Sequence, residues 1–127
     1  NAIEFCTKVQ LMMPSERWPK DLLESDDCAN VVSKKDPNLT IFCGLRVKMG
    51  LAKGEAIRVE DPSSKKVNFS GAVLSKSISL CKAAAGGQIL LPVDVWMEAR
   101  KKVEKSSTEP TFFALGEFSF TEMKVVD

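Results

Sequence analysis

Residues 72–92 read "AVLSKSISLCKAAAGGQILLP", a helix-forming run, a pair of glycines and a short apolar run. A helix does not continue comfortably through two glycines, so Gly86-Gly87 is expected to stop it in the manner of a C-cap. The "QILLP" that follows is too short for a helix and apolar enough for a buried strand. Immediately upstream, "EDPSSKK" is turn-forming, with Pro62 and two serines, and it predicts a hairpin with "VNFSG". The chain must therefore combine a local hairpin with a crossover through a helix, which points to an α+β sandwich with the helices on one face of the sheet.

The flanking segments extend that pattern. In "AIEFCTKVQLMM" the spacing places Ala2, Phe5, Cys6, Val9, Met12 and Met13 on one helical face, and Pro14 ends the helix. "WPKDLLES" predicts a short second turn and "DDCANVVSKKDPN" a loop. "LTIFCGLRVKMGLAKGEAIRV" reads as strand, in which Val47, Met49 and Leu51 alternate with Arg46, Lys48 and Gly50. "VDVWMEARKKVEK" is an amphipathic helix with Val95, Trp96 and Ala99 inward, and Arg100, Lys101, Lys102 and Lys105 on the wet side of its end. After the loop "SSTEP", "TFFALGEFSFTEMKVV" closes the domain as strand. Trp96, Phe112, Phe113, Phe118 and Phe120 are expected as core and sheet residues. The order α–β–β–α–β–α–β contains no repeat, and 127 residues suit one domain, 1–127, with a single core.

Composition removes several classes of function. There is no histidine, which excludes His-based triads, His general bases and the usual zinc sites. A net charge of +1 gives no broad footprint for nucleic acid or anionic lipid. No apolar run approaches the ~20 residues that span a bilayer. The first ten residues lack the basic start and apolar core of a signal peptide, and a cytoplasmic setting is expected. Cys6, Cys28, Cys43 and Cys81 are scattered without a C-x-x-C pair and are expected as free thiols. The sequons at Asn38 and Asn68 have no secretory context. The chain opens on Asn rather than Met, and is expected to be an N-terminally incomplete domain of a longer protein.

From Leu45 onward several blocks resemble the class III adenylate/guanylate cyclase catalytic domain. "LRVKMGLAKGE" is similar to that family's "LRVRMGIHTGE" strand. "VNFSGAVLSKSISLCKAAAGGQILLP" is similar to its turn, helix and strand, which typically run D-x-x-G-x-x-V-N-x-A-A-R and then G-G-Q-[IV]-L-[LV]. "FFALGEFSF" resembles the closing strand, and "AIEFCTKVQLMMPSERWPKDLL" the first helix of protozoan and algal members. The resemblance implies a ferredoxin-like βαββαβ core that works as a dimer, with nucleotide sites at the interface. It also implies two metal ions held by two Asp residues, attack of the 3′-hydroxyl of ATP or GTP on the α-phosphate, and departure of pyrophosphate. In such a reaction metals and an Arg meet the charge growing on the phosphoryl oxygens.

Transferred position by position, the resemblance leaves the chemistry incomplete. The two metal-binding Asp residues belong to a strand and hairpin before the family's first helix, so no metal ligand is assigned in these residues. Mg²⁺ or Mn²⁺ is expected only if an upstream segment supplies its ligands. Anchored on Gly71, the base-reading Asp position is Asn68, the ribose-orienting Asn position is Ser75 and the transition-state Arg position is Ser79. A serine carries one short hydroxyl and no charge, and cannot reach a phosphate as Arg does. Loss of one such stabiliser typically costs ~10²–10³ in rate.

Lys82 shares the Ser75/Ser79 face and is the one cation there that could approach a phosphate, although a solvated lysine is the plainer reading. Lys76 points elsewhere, about 100° round the helix from Ser75. Ala52 and Lys53 replace the family's His-Thr, and Lys53 is read as a hairpin charge. The nucleotide-binding candidates are Asn68, Gly71, Ser75 and Lys82, with Ser75 and Ser79 as degenerate catalytic positions.

The expectation is a degenerate cyclase homology domain serving as a dimerisation, regulatory or scaffold module, with a homologous cyclase-like domain as its protein partner. The alternative is one half of an active heterodimeric cyclase. An RNA-recognition module is disfavoured, because "LRVKMGLAKGE" offers no aromatic to stack on a base.

Overall fold

The computed structural model describes residues 2–103, 111–117 and 119 of the chain. Helix α1 (Ala2–Met12) passes into a 3-10 turn (Met13–Ser15) at Pro14, which cannot donate the next helical hydrogen bond. On its wet face Lys8 pairs with Glu4 at 2.8 Å, and the hydrogen bond and charge of Lys8 hold the Glu4 carboxyl below its ordinary range. The expected apolar face is corrected. Ile3 and Cys6 are buried, whereas Phe5, Leu11 and Met12 are exposed. The stripe in use is Ile3, Cys6, Gln10 and Met13, an equally helical spacing that competes with the one read from the sequence. Gln10 fixes it by donating from Nε2 to the Val47 carbonyl at 2.6 Å. Burial pushes the Cys6 thiol pKa up, so this sulfur stays protonated and unreactive. All four cysteines are free.

Helix α2 (Lys20–Leu23) is a single turn, as expected. Just before it, the Trp18 indole donates to the Met13 carbonyl at 2.9 Å and lies where a side chain at Gly44 would stand. Strand β1 (Val31–Val32), in a segment read as loop, pairs antiparallel with β2 (Thr40–Phe42). The long strand predicted from residue 39 to 59 is broken into β2, β3 (Met49–Gly50) and β4 (Ile57–Glu60). The alternation read from the sequence covers only residues 46–51, and Gly44, at φ +79°, and Gly54 lie in the gaps between the three strands.

Strand β4 pairs antiparallel with β5 (Val67–Ser70), the hairpin expected around "EDPSSKK". Strand β3 pairs parallel with β6 (Ile89–Leu90). The described residues are thus mixed helix and strand, in keeping with α+β, but their strands form three separate two-stranded sheets. The single sheet with helices on one face is not what they build.

Helix α3 (Ala72–Ala83) crosses between β3 and β6 and rests directly on β3. A Cβ at Gly50 would stand 2.3 Å from the Ser77 carbonyl oxygen and 2.4 Å from the Cys81 amide nitrogen, so helix and strand backbones meet with no side chain between. Leu80 and Ala84 are buried beside this contact. The helix ends at Ala83, with Ala84 as its extended cap, two residues before the glycine pair predicted to stop it. Gly86 and Gly87 serve a different need. They turn the chain under Arg46 and the Phe42 ring, which a Cβ at either position would strike, and Gly87 adopts φ +84°.

Helix α4 (Val93–Val103) buries Ala99 and half-buries Val95 and Trp96, as its pattern predicted. Trp96 lies against Phe112 with ring centroids 4.1 Å apart. Phe113 is 79% exposed, which corrects its placement in the core. Arg100 and Lys101 are exposed; residues 111–117 and 119 are irregular, which corrects the strand expected there, while Lys105, Phe118, Phe120 and the rest of that segment lie outside the described residues.

Candidate functional site

The turn into α3 is built around Gly71. Its φ of +121° is one that L side chains rarely adopt, and its carbonyl accepts the first helical hydrogen bonds, from Leu74 N at 3.0 Å and Ser75 N at 3.4 Å. Asn68 precedes this turn on β5, paired across the hairpin with Val59 and exposed. From Gly71 the helix carries Ser75, Ser79 and Lys82 at spacings of four and three, a single stripe along its surface.

The contact with Gly50 fixes where that stripe points. Ser77 and Cys81 face the strand, and Ser75, Ser79 and Lys82 lie about half a turn away from them, on the outer side of α3. Ser75 and Lys82 are exposed and Ser79 is half-buried. Ser77, between them in sequence, turns its hydroxyl back to the Leu74 carbonyl at 2.8 Å. Among the described residues no hydrogen bond holds the hydroxyls of Ser75 or Ser79, and none joins them to Asn68. The helix thus aligns Ser75, Ser79 and Lys82 but leaves Asn68 apart on its strand.

Two lysines near this face are committed to α4. Lys76 reaches Asp94 at 3.9 Å, in accord with its expected direction away from the serines. Lys53, expected as a hairpin charge, lies in the segment between β3 and β4 and pairs with Glu98 of α4. Exposed pairs of this kind are worth ~0–1 kcal/mol, enough to orient a side chain without anchoring the fold. Among the described residues no cluster of three or more cysteine or carboxylate side chains could hold a metal ion. The α3 face carries two hydroxyls at Ser75 and Ser79 and one ammonium at Lys82, and no charged side chain stands at position 75 or 79.

A second feature escaped the sequence reading. A cavity of about 270 Å³ opens between the end of α1, β2 and the glycine turn, lined by Gln10, Met13, Ile41, Phe42, Leu45 and Arg46 among others. The Arg46 guanidinium carbon lies 5.0 Å from the centroid of the Phe42 ring, and its Nε is buried without a hydrogen-bond partner. Arg46 had looked like the outward member of an alternating strand. Its partners come from positions 10 to 87, so no local pattern marks the site.

Comparison with known proteins gives the chain its relatives. It is 34% identical over 122 residues to an adenylate cyclase of Podospora anserina, covering 94% of this chain and 6% of that protein. It is 32% identical over 97 residues to an adenylate cyclase of Mycosarcoma maydis, covering 76% of this chain and 4% of that one. A protein of Acanthamoeba polyphaga mimivirus described as a serine/threonine-protein kinase/receptor is 27% identical over 121 residues, covering 95% of this chain and 7% of that protein. The chain spans between 4% and 7% of the length of these relatives. No family model matches it, and no solved structure matches it. The fungal similarities run through most of the chain and support a cyclase-related sequence.

Proposed function

We propose that this chain is a degenerate class III nucleotidyl cyclase homology domain, catalytically inactive, acting as a dimerisation, regulatory or scaffold module of a larger protein. The observation that carries the reading is the lack of charge at positions 75 and 79 on the outer face of α3. The positions matching the family's ribose-orienting Asn and transition-state Arg hold the unpartnered hydroxyls of Ser75 and Ser79, while Lys53 and Lys76 are turned to carboxylates of α4. A phosphoryl transfer that depends on focused positive charge lacks its stabiliser on this face. Any retained contact with ATP or GTP would run through Asn68, Gly71, Ser75 and Lys82.

An interaction role is supported by the β4–β5 hairpin. Ile57 and Val59 stand on one of its faces and Val67 and Phe69 on the other, all exposed. The partner suited to that role is a homologous cyclase-like domain. The similarity to proteins named adenylate cyclase favours one alternative, in which this chain is half of an active heterodimer.

The test is to incubate the purified chain with ATP or GTP and Mg²⁺ or Mn²⁺, assay for cyclic nucleotide, and measure nucleotide binding by calorimetry. The proposal expects neither product nor micromolar binding. Micromolar binding by the chain alone would overturn a purely structural role. Cyclic nucleotide formed only on mixing with a second cyclase chain, and lost in Lys82→Ala, would establish the alternative. A strictly monomeric chain that captures no cyclase-like partner counts against the scaffold role.

A further inference from the structure

We infer that the cavity at Arg46 is a binding site for a small organic carboxylate with an apolar body. It lies apart from the α3 serine face, and nothing in the cyclase reading is needed for it. Four observations converge.

The cavity, about 270 Å³, is close to the lower end of the size range of small-molecule sites, roughly 300–1,000 Å³. Met13, Ile41, Phe42 and Leu45 give it an apolar wall, and Arg46 is the one charged residue in the lining. That guanidinium has no carboxylate partner among the described residues, and its Nε is buried with its proton unmatched. The geometry also limits its motion. The plane rests over Phe42, and Gly86 packs against its Cβ, so the side chain is held in place before any ligand arrives.

One fixed guanidinium suits one carboxylate, which can accept two parallel hydrogen bonds from its fork. A phosphate is a poorer match, because it carries more charge and the neighbouring Gln10 amide is already given to the Val47 carbonyl. An apolar tail on the carboxylate would displace water from Met13, Ile41 and Leu45.

The structure supplies its own reporter. Trp18 is hydrogen-bonded to the lining residue Met13 and sits over Gly44, which lies between the lining residues Cys43 and Leu45, and the only other tryptophan of the chain is Trp96. In a Trp96→Phe chain, octanoate is expected to change Trp18 emission saturably, and to shift the Arg46 Nε–H resonance in a ¹H–¹⁵N spectrum. Octanamide, identical in tail but uncharged, is expected to bind about tenfold more weakly or worse, and Arg46→Met to weaken octanoate by a similar factor. The inference is overturned if neither signal saturates up to tens of millimolar, roughly the weakest range of interest. It is equally overturned if octanamide matches octanoate, or if a folded Arg46→Met chain binds as well as its parent. Should Arg46→Met fail to fold, the octanoate–octanamide comparison on the parent chain decides alone.

Discussion

Helix α3 and the β4–β5 hairpin are consecutive in the chain, joined at Gly71, and they are held by opposite means. The helix is seated by contact: its backbone lies on Gly50, and it buries Leu80, with Ala84 buried at its cap. The hairpin is held by its own ladder and turn, and every residue from 57 to 70 is exposed. Asp61 accepts hydrogen bonds at Oδ1 from the amides of Ser63 at 2.8 Å and Ser64 at 2.7 Å, while its own amide donates to the Lys66 carbonyl. The lesson is that order and burial are separable here. One region gains its position from the rest of the molecule, and the other carries its geometry with it and leaves its apolar side chains for something else to cover.

The strongest way to break this comparison is at the seat of the helix. Gly50→Val forces two backbones apart and is expected to cost about 3 kcal/mol or more in denaturant unfolding. A loss under about 1 kcal/mol would mean that α3 is not seated on the strand. Gly87→Ala comes next: it puts a side chain at positive φ and against Phe42, with an expected loss of about 1–2 kcal/mol in the same measurement.

The hairpin should respond locally rather than globally. The amides of Ser64 and Ser63 hold the Asp61 carboxyl below its ordinary range. A depressed carboxylate stabilises the fold above its unfolded pKa, and that contribution disappears as pH falls through the folded value. Protection factors in the 57–70 hairpin, taken relative to the intrinsic exchange rate at each pH, should therefore fall on acidification below about pH 4 while those of α3 hold, and Asp61→Asn should remove that change in protection. The smallest effect is expected for Phe69→Ser, within about 0.5 kcal/mol of the parent in stability. The same variant should lose partner capture or self-association if the hairpin's apolar faces are an interaction surface. Unchanged association would place the interface elsewhere.

What could be foreseen from the sequence follows the same division. The hairpin was legible because its instructions are local: Asp61, Pro62, Ser63 and Ser64 set the turn whatever surrounds it. Helix α3 was legible from its composition, and α4 from the period of Val95, Trp96 and Ala99. The face of α1 was not, because two helical stripes were available and only the Gln10–Val47 bond and the burial of Ile3 select one. The breaks within residues 39–59 were hidden for a related reason. Val47, Met49 and Leu51 alternate as a strand should and keep hydrogen bonds to Gly87, Gln88 and Leu90, while the breaks fall on either side of them, near Gly44 under Trp18 and near Gly54 beside Val73 of α3.

The serine stripe was legible as a set of positions, and its outward direction was not, since that depends on the contact at Gly50. The Arg46 cavity lay beyond any local reading, because its walls come from residues distant in sequence.

The bare contact at Gly50 has a consequence for what the chain can become. A helix docked backbone to backbone has no side chain to repack and little freedom to roll, so its outer positions are indexed like sockets on a fixed rail. Whatever occupies residues 75 and 79 inherits its heading from a glycine on another strand. Chemistry on that face can be removed or restored one side chain at a time, without renegotiating the core.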